Sequence, residues 1–421
     1  MTEVTQTVPS SQHSPDGVAP RHVVIVGAGF AGLACARGLA GHPEIAVTLV
    51  DKNPYQLFSP LLYQVSTGGL PEDDIAYPVR AAVEGITFRR GVVVAIDPEH
   101  RTVGMDDGSP LPFDDLVLAV GSTGTSFGVP GVEEHALQMK SIREAREIRR
   151  RLLQAYEDVE SGHISPDLLG VVVVGGGPTG VELAGAIAEL QKGLRREYPG
   201  STQRASVTLI EAAPRVLSSF TEPSSTHAKE ELEEIGVVVR VGEAVDRIDP
   251  HAVHLKSGET LPAGTVIWAA GVSGFDRWAE LGKHDRLNRL EVDRFLRLGD
   301  GIWVAGDSAS FPAGSGTLPM IAPVAMQMGK HIARQILAIS RGSAPTPFTY
   351  KDKGQMATIG RRRAVVELPN GFRMHGTPAW LTWLALHVFY LAGGRNRISV
   401  VADWMWNYLA WGIGPRRTVL D

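Results

Sequence analysis

Apolar runs that end in glycine or an acid organise the first three-quarters of the chain. The run His22 to Val26 shows no polar alternation, so it reads as a strand buried on both faces of a parallel sheet. An alanine-rich stretch, Ala31 to Ala40, reads as a helix, and a second strand, Ala46 to Val50, ends at Asp51. The same order recurs later. Val171 to Val174 is a strand, a helix carries Glu182 and runs through Glu189, and the strand Ser206 to Ile210 ends at Glu211. Polar residues 191–204, with Tyr198-Pro199-Gly200, predict an inserted loop. Ile96-Asp97-Pro98 and Ile248-Asp249-Pro250 each precede a D-G or S-G turn (Asp107-Gly108, Ser257-Gly258), which predicts a β-meander in each half. Each half then returns to a strand ending in glycine, Leu116 to Val120 before Gly121 and Val266 to Ala270 before Gly271. A last strand, Ile302 to Ala305, precedes Gly306-Asp307.

The repeat predicts an α/β fold: two Rossmann-like nucleotide-binding domains with inserted β-meanders, plus a C-terminal region with amphipathic helices. The return of Ile302 to Ala305 makes the first domain discontinuous. The expected boundaries are a disordered extension over 1–20, a first nucleotide domain over 20–130 and 290–350, a second over 131–289, and a C-terminal membrane-association or dimer region over 351–421.

Two glycine clusters carry the candidate chemistry. Gly27, Gly29 and Gly32 form G-x-G-x-x-G between two strands, with Asp51 at the distance expected of a ribose-binding acid. The first glycine permits the turn, the second lets backbone approach a pyrophosphate, and the third lets helix and strand pack. Gly175, Gly177 and Gly180 repeat the pattern, with Pro178 and Thr179 between them and Glu211 as the acid. A carboxylate there binds a ribose 2′-hydroxyl and repels a 2′-phosphate, which favours NADH over NADPH; nearby Arg215 softens that argument. Glu182 is either an acid favouring the helix dipole or a group at the nicotinamide. Asp307 fits a flavin ribityl or pyrophosphate contact, the alternative being an ordinary helix cap.

Composition narrows the class. Hydrophobic residues make up 43% and charged residues 21% of 421, enough for a large core. A net charge of -5 argues against nucleic-acid binding. Cys35 is the single cysteine, so no internal disulfide or redox-active cysteine pair exists, and its alanine-rich helix makes it an inert buried thiol. The 13 histidines show no metal-ligand spacing, so no metal is expected. Residues 1–20 lack the pattern of a secretory or mitochondrial leader.

The tail differs from the body. Residues 361–421 hold eight arginines and three acids, and five of the eight tryptophans fall between Trp380 and Trp411. Trp380, Trp383, Leu384, His387 and Leu391 share one helical face. Val401, Trp404, Met405, Tyr408 and Leu409 form a second stripe, with Asp403 and Asn407 away from it. Tryptophan beside arginine suits a lipid headgroup layer, which predicts two interfacial helices; dimer or core packing is the alternative.

Together, GAGFAG at 27–32, GGGPTG with Val181-Glu182, AGD at 305–307, Pro319 to Gly329, and YKDKGQMATIGR at 350–361 resemble the type II NADH:quinone oxidoreductases. These are non-proton-pumping members of the two-dinucleotide-binding-domain flavoproteins, and the resemblance spans about residues 20–412. It implies non-covalent FAD, NADH as donor, a membrane quinone as acceptor, and peripheral attachment to the cytoplasmic side of the cell membrane; a homodimer, with the tails pairing across it, is expected besides. It places FAD against Gly27, Gly29, Phe30, Gly32, Asp51 and Lys52, and against Gly121, Asp307 and Ala325. NADH is expected at Gly175, Gly177, Pro178, Thr179, Gly180, Glu182, Glu211 and Gly271. Glu182 and Gln327 match the catalytic positions, with Pro323, Gln327 and Lys353 at the quinone. The family's A-Q-x-x-x-Q motif departs here at its first glutamine, where the chain has Ala322-Pro323, removing one polar contact. Two other readings stay open: a soluble NAD(P)H-dependent flavin reductase serving ferredoxin, another protein or oxygen, and a nonenzymatic FAD- and NADH-binding sensor. A sulfide:quinone reductase would need reactive cysteines.

Overall fold

The computed structural model describes residues 19–201, 204–314 and 316–409. Most of the expected extension over 1–20, and Trp411, lie outside the described residues. The chain divides into two compact units. The first holds the residues up to Gln56, Pro78–Ser122 and Gly274–Lys351; the second holds Leu57–Tyr77, Thr123–Ser273 and the residues from Asp352 onward. Five helices matter below: α1 (Phe30–Leu39), α2 (Pro178–Leu194), α3 (Ala322–Ser340), α4 (Gly376–Tyr390) and α5 (Gly394–Leu409).

In the first unit, Arg21–Val26 runs parallel between Ile45–Asp51 and Asp115–Leu118. Thr87–Arg90 extends one side and Ile302–Val304 the other, with Arg297–Gly299 antiparallel at the edge. Val23, Val24 and Ile25 are fully buried, which explains the unalternated run. Helix α1 lies against α3 so closely that a Cβ on Gly329 would collide with the Ala31 carbonyl, and one on Gly38 would meet Ala333.

The second unit repeats the plan with a wholly parallel sheet, in the order Ala136–Leu137, Thr265–Trp268, Val171–Val174, Val207–Glu211 and Val237–Val241. Each unit carries a three-stranded antiparallel meander, Val93–Asp97, Thr102–Met105 and Pro110–Pro112 in one, Val245–Asp249, Ala252–Leu255 and Thr260–Pro262 in the other. The duplication expected from the sequence is therefore present. One boundary needs correction: α2 continues to Leu194, taking four residues from the expected loop. Ile187, Leu190, Gln191 and Leu194 are all buried, so the apolar face persists where polar neighbours suggested a loop.

The second unit also holds a small antiparallel sheet of Gln355–Gly360, Arg363–Glu367 and Arg373–His375. It packs on α2 at a glycine, since a Cβ on Gly185 would overlap the Ile359 carbonyl. The two tail helices form as expected, and no described helix is long and apolar enough to cross a membrane. Their orientation corrects the sequence reading. Trp380, Trp383 and Leu391 face inward, and so does Trp404, whose Nε1 donates to Gln64 Oε1 at 2.7 Å. Both asparagines of α5 also face the body: Asn396 donates to the carbonyls of Asp73 and Asp74, and Asn407 to that of Gly69. Ile398, Val401, Met405 and Trp406 are left outside. For Trp404 the inward face is the one where a hydrogen-bond acceptor is available, which a stripe on a helical wheel does not reveal.

Candidate functional site

In the first unit the three glycines do three different things. Gly27 has φ +104, and a Cβ there would press into the Ala119 carbonyl; a Cβ on Gly32 would collide with the Gly27 carbonyl oxygen. Gly29 instead faces open space. It also caps α1 without a side chain to satisfy the first-turn N–H groups, and that turn holds no acid. Unsatisfied donors and the positive helix end thus point at the opening, which suits a pyrophosphate. Asp51 is held beside it, accepting from the backbone N–H of Ala28 and of Asn53, each at 2.7 Å. Burial pushes its carboxyl up while those donors pull it down. Lys52 is exposed next to it.

The neighbouring strand ends complete this cradle. Gly121 turns with φ +79 and its carbonyl accepts from Ser308 Oγ at 3.0 Å; Ser122 Oγ donates to Asp307 Oδ2 at 2.7 Å. Gly306 sits between the Cβ atoms of Ala31 and Ala325, so the first turn of α3 closes over the loop. Helix α3 begins after Ile321, which offers no capping acceptor, and carries Pro323 in its first turn. Gln327 is spent partly on structure: its amide donates to the Lys351 carbonyl at 2.9 Å and accepts from the Lys351 N–H at 3.0 Å.

The second unit reproduces the cradle. Gly175 has φ +113 with Ala269 and Ala270 behind it, Gly177 faces open space, and a Cβ on Gly180 would collide with the Gly175 carbonyl. Gly177 caps α2, Pro178 follows at a position that needs no N–H, and Thr179 is exposed. Glu211 accepts from Gly176 N–H at 2.5 Å and Ala213 N–H at 2.6 Å, the same two-donor grip that holds Asp51. The guanidinium of Arg215 donates to the carbonyls of Phe220 at 2.6 Å and Ser218 at 3.0 Å, so it is tied into its own loop. Gly271 has no room for a side chain because the ring of Phe127 fills the space.

Glu182 points from α2 toward the small sheet, where Thr358 N–H donates to it at 3.3 Å. A sliver of it stays accessible, but dense protein surrounds the carboxyl, and burial pushes it up to about 8. The Thr358 N–H and the nearby Trp383 indole favour the ionised form without overcoming burial. Trp383 Nε1 has no well-aligned partner among the described residues. His387 stacks on the Trp383 ring, with centroids 3.9 Å apart, and donates from Nδ1 to the Trp383 carbonyl at 2.7 Å. Burial lowers His387 to about 4, so it is neutral. The sequence pattern puts Trp383 and His387 on one helical face, suited to lipid or to dimer or core packing, and gives Thr358 no role of its own. Their i, i+4 spacing marked a shared face, but only the fold shows that the face meets Glu182. Lys353 is exposed.

Residues 21–329 match the family Pyridine nucleotide-disulphide oxidoreductase, and residues 353–410 match the NDH2 C-terminal domain. The chain is 33% identical over 431 residues to the type II NADH:quinone oxidoreductase Ndh of Mycobacterium tuberculosis, covering 95% of this chain and 91% of that one. It is 31% identical over 358 residues to the type II NADH:quinone oxidoreductase of Staphylococcus aureus, covering 82% and 89%. Among solved structures, NDH2 from Plasmodium falciparum in complex with NADH superposes with a TM-score of 0.86 at 20% identity, covering 95% of this chain and 99% of that one.

Proposed function

The chain belongs to the pyridine nucleotide-disulphide oxidoreductase family and, within it, to the type II NADH:quinone oxidoreductases, and from that premise we propose how its residues divide the work. It is an enzyme that passes electrons from NADH through non-covalent FAD to a quinone. When bound, FAD supplies a centre that accepts electrons from a nicotinamide and releases them to a quinone.

The first unit is the FAD site. The Gly27–Gly32 loop and the uncapped start of α1 hold the pyrophosphate, Asp51 takes the adenosine ribose hydroxyls, and Gly121, Asp307 and Ala325 line the flavin end. The second unit is the NADH site. Glu211, its carboxylate already aimed by two backbone donors, takes the ribose 2′-hydroxyl. Arg215 is committed to carbonyls, which removes the cation a 2′-phosphate would need and supports NADH as the donor. Glu182 acts as a neutral acid, donating a hydrogen bond to the nicotinamide amide or ribose. Gln327, with donor and acceptor capacity left after the Lys351 contacts, lines the quinone site with Pro323. The observation that carries the reading is the doubled cradle: two open glycine loops, each with an acid gripped by two backbone N–H groups.

The exposed side of α4 and α5 is assigned to the bilayer surface on the cytoplasmic side of the cell membrane. Ile398 and Trp406 are 73% and 70% exposed, Phe389 and Met405 are exposed as well, and Arg395 and Arg397 lie at the start of α5. A homodimer through the tails is the other arrangement in which this face is covered, and sedimentation in detergent separates the two.

Anaerobic stopped-flow tests the catalytic assignment. NADH should bleach the oxidised flavin absorbance, and an added quinone should restore it. Rapid bleaching that ferredoxin or oxygen reverses, and quinone does not, would overturn the acceptor.

A further inference from the structure

Phe127 combines two costs that the fold by itself does not explain. Bulky residues avoid the left-handed backbone region because Cβ crowds the neighbouring carbonyl, yet Phe127 has φ +50. An aromatic ring also gains by burial, yet this one is 57% exposed. The loop that holds it is firmly built. Trp268 Nε1 donates to the Thr125 carbonyl at 2.8 Å, and Thr123–Gly124 pairs antiparallel with Val272–Ser273. Thr125 Oγ1 accepts from the Phe127 N–H at 3.2 Å, and Ser126 Oγ accepts from the Gly128 N–H at 3.4 Å. The result lays the ring on Gly271, where any Cβ would overlap its edge. Strain that the surroundings maintain this thoroughly marks a position where geometry matters.

The ring's place in the sheet says what it faces. Ala269 and Ala270, just before Gly271, back directly onto Gly175 of the dinucleotide loop. The strand Thr265–Trp268 neighbours Val171–Val174 on the side opposite Val207–Glu211. Chain order reverses between those neighbours, and in such sheets the ligand crevice opens at the carboxyl ends of the strands at that point. Glu211 marks the adenosine side of the crevice. A dinucleotide that starts there and crosses the open space at Gly177 carries its nicotinamide half to the Gly271 side.

We propose that Phe127 is an NADH-binding residue, whose exposed ring forms the wall against which the nicotinamide ribose and ring pack. The left-handed turn aims that ring, and Gly271 is the residue that leaves room for its edge. This rests on the second unit being the NADH site. A ring is suited to the place because it offers a broad apolar face and demands no hydrogen bond there.

The test uses the FAD-loaded protein with Phe127→Gly and Phe127→Tyr. Glycine removes the ring and relaxes the backbone, so the thermal midpoint should stay level or rise. The Kd for NAD+ by calorimetry, and the NADH concentration that half-saturates anaerobic flavin bleaching, should rise about five- to tenfold, the scale of a lost aromatic contact. Binding of ADP, which lacks the nicotinamide half, should not change, and tyrosine should restore NAD+ binding to within about twofold of the native value. Unchanged NAD+ affinity in the glycine variant overturns the proposal. So does equal weakening of ADP, or a lowered midpoint that tyrosine fails to restore, since either would make the ring a structural support. If the native protein bound NAD+ but NADH did not bleach its flavin, the enzymatic reading would fall, and the NAD+ comparison would still decide the role of Phe127.

Discussion

Replacing Glu182 with glutamine keeps the side chain's shape and removes its ability to ionise. Burial raises the native carboxyl from its ordinary 4.5 to about 8. At pH 7 the neutral acid then outnumbers the carboxylate about tenfold, and at pH 9 the ratio is reversed. Each tenfold change in proton affinity is worth about 1.4 kcal/mol, so the full rise corresponds to roughly 5 kcal/mol, which the accessible sliver of the group reduces to about 2–4. The sign follows from which state loses its proton first. The unfolded chain ionises near 4.5 and the folded one near 8, so the stability this carboxyl contributes is complete below the lower value. It is lost progressively as pH rises through the upper one. Glu182→Gln should therefore gain about 2–4 kcal/mol on the native protein between about pH 5 and pH 9 in urea unfolding of the FAD-loaded forms. Difference infrared spectroscopy should show a protonated carboxyl band that titrates near 8 and is absent from the variant. If the neutral acid is the working form, NADH-driven bleaching in the native protein should fall above pH 8 while the variant stays flat. Parallel stability profiles, with no carboxyl titrating in this range, would refute the reasoning.

Three further outcomes follow from other parts of the molecule. Gly180→Ala forces a Cβ into the Gly175 carbonyl and should keep the flavin while weakening NADH more than about tenfold; Gly32→Ala should do the reverse, losing flavin on gel filtration. Burial and the adjacent Asp403 raise Asp74 to about 6, with Ser399 opposing, so stability is complete below its ordinary 3.8 and lost as pH rises through 6. Asp74→Asn should consequently be more stable than the native protein by about 1–2 kcal/mol at neutral pH and not at pH 4, read by urea titration. Ile398→Glu with Trp406→Glu should abolish flotation with anionic liposomes and leave the turnover of a water-soluble quinone analogue within about twofold; undiminished flotation would return that face to dimer packing.

Local physics made much of this chain readable in advance. A tight turn needs glycine at position 27, close helix–strand packing needs it at 32, and a fully buried parallel strand leaves an unbroken run such as Val171–Val174. These constraints act within a few residues, so spacing alone carried the doubled nucleotide fold, both cradles and the acids Asp51 and Glu211. Other properties were set by groups far apart in sequence. The protonation of Glu182 depends on Thr358 and Trp383 arriving to exclude water from it. The commitment of Arg215 to backbone carbonyls and the left-handed turn of Phe127 onto Gly271 exist only once their loops close. On α5 the periodicity correctly marked a helix, but which face turned inward was decided by Gln64, Gly69 and the carbonyls of Asp73 and Asp74. A helix can bury any side whose polar groups find partners, and those partners become neighbours only in the folded chain.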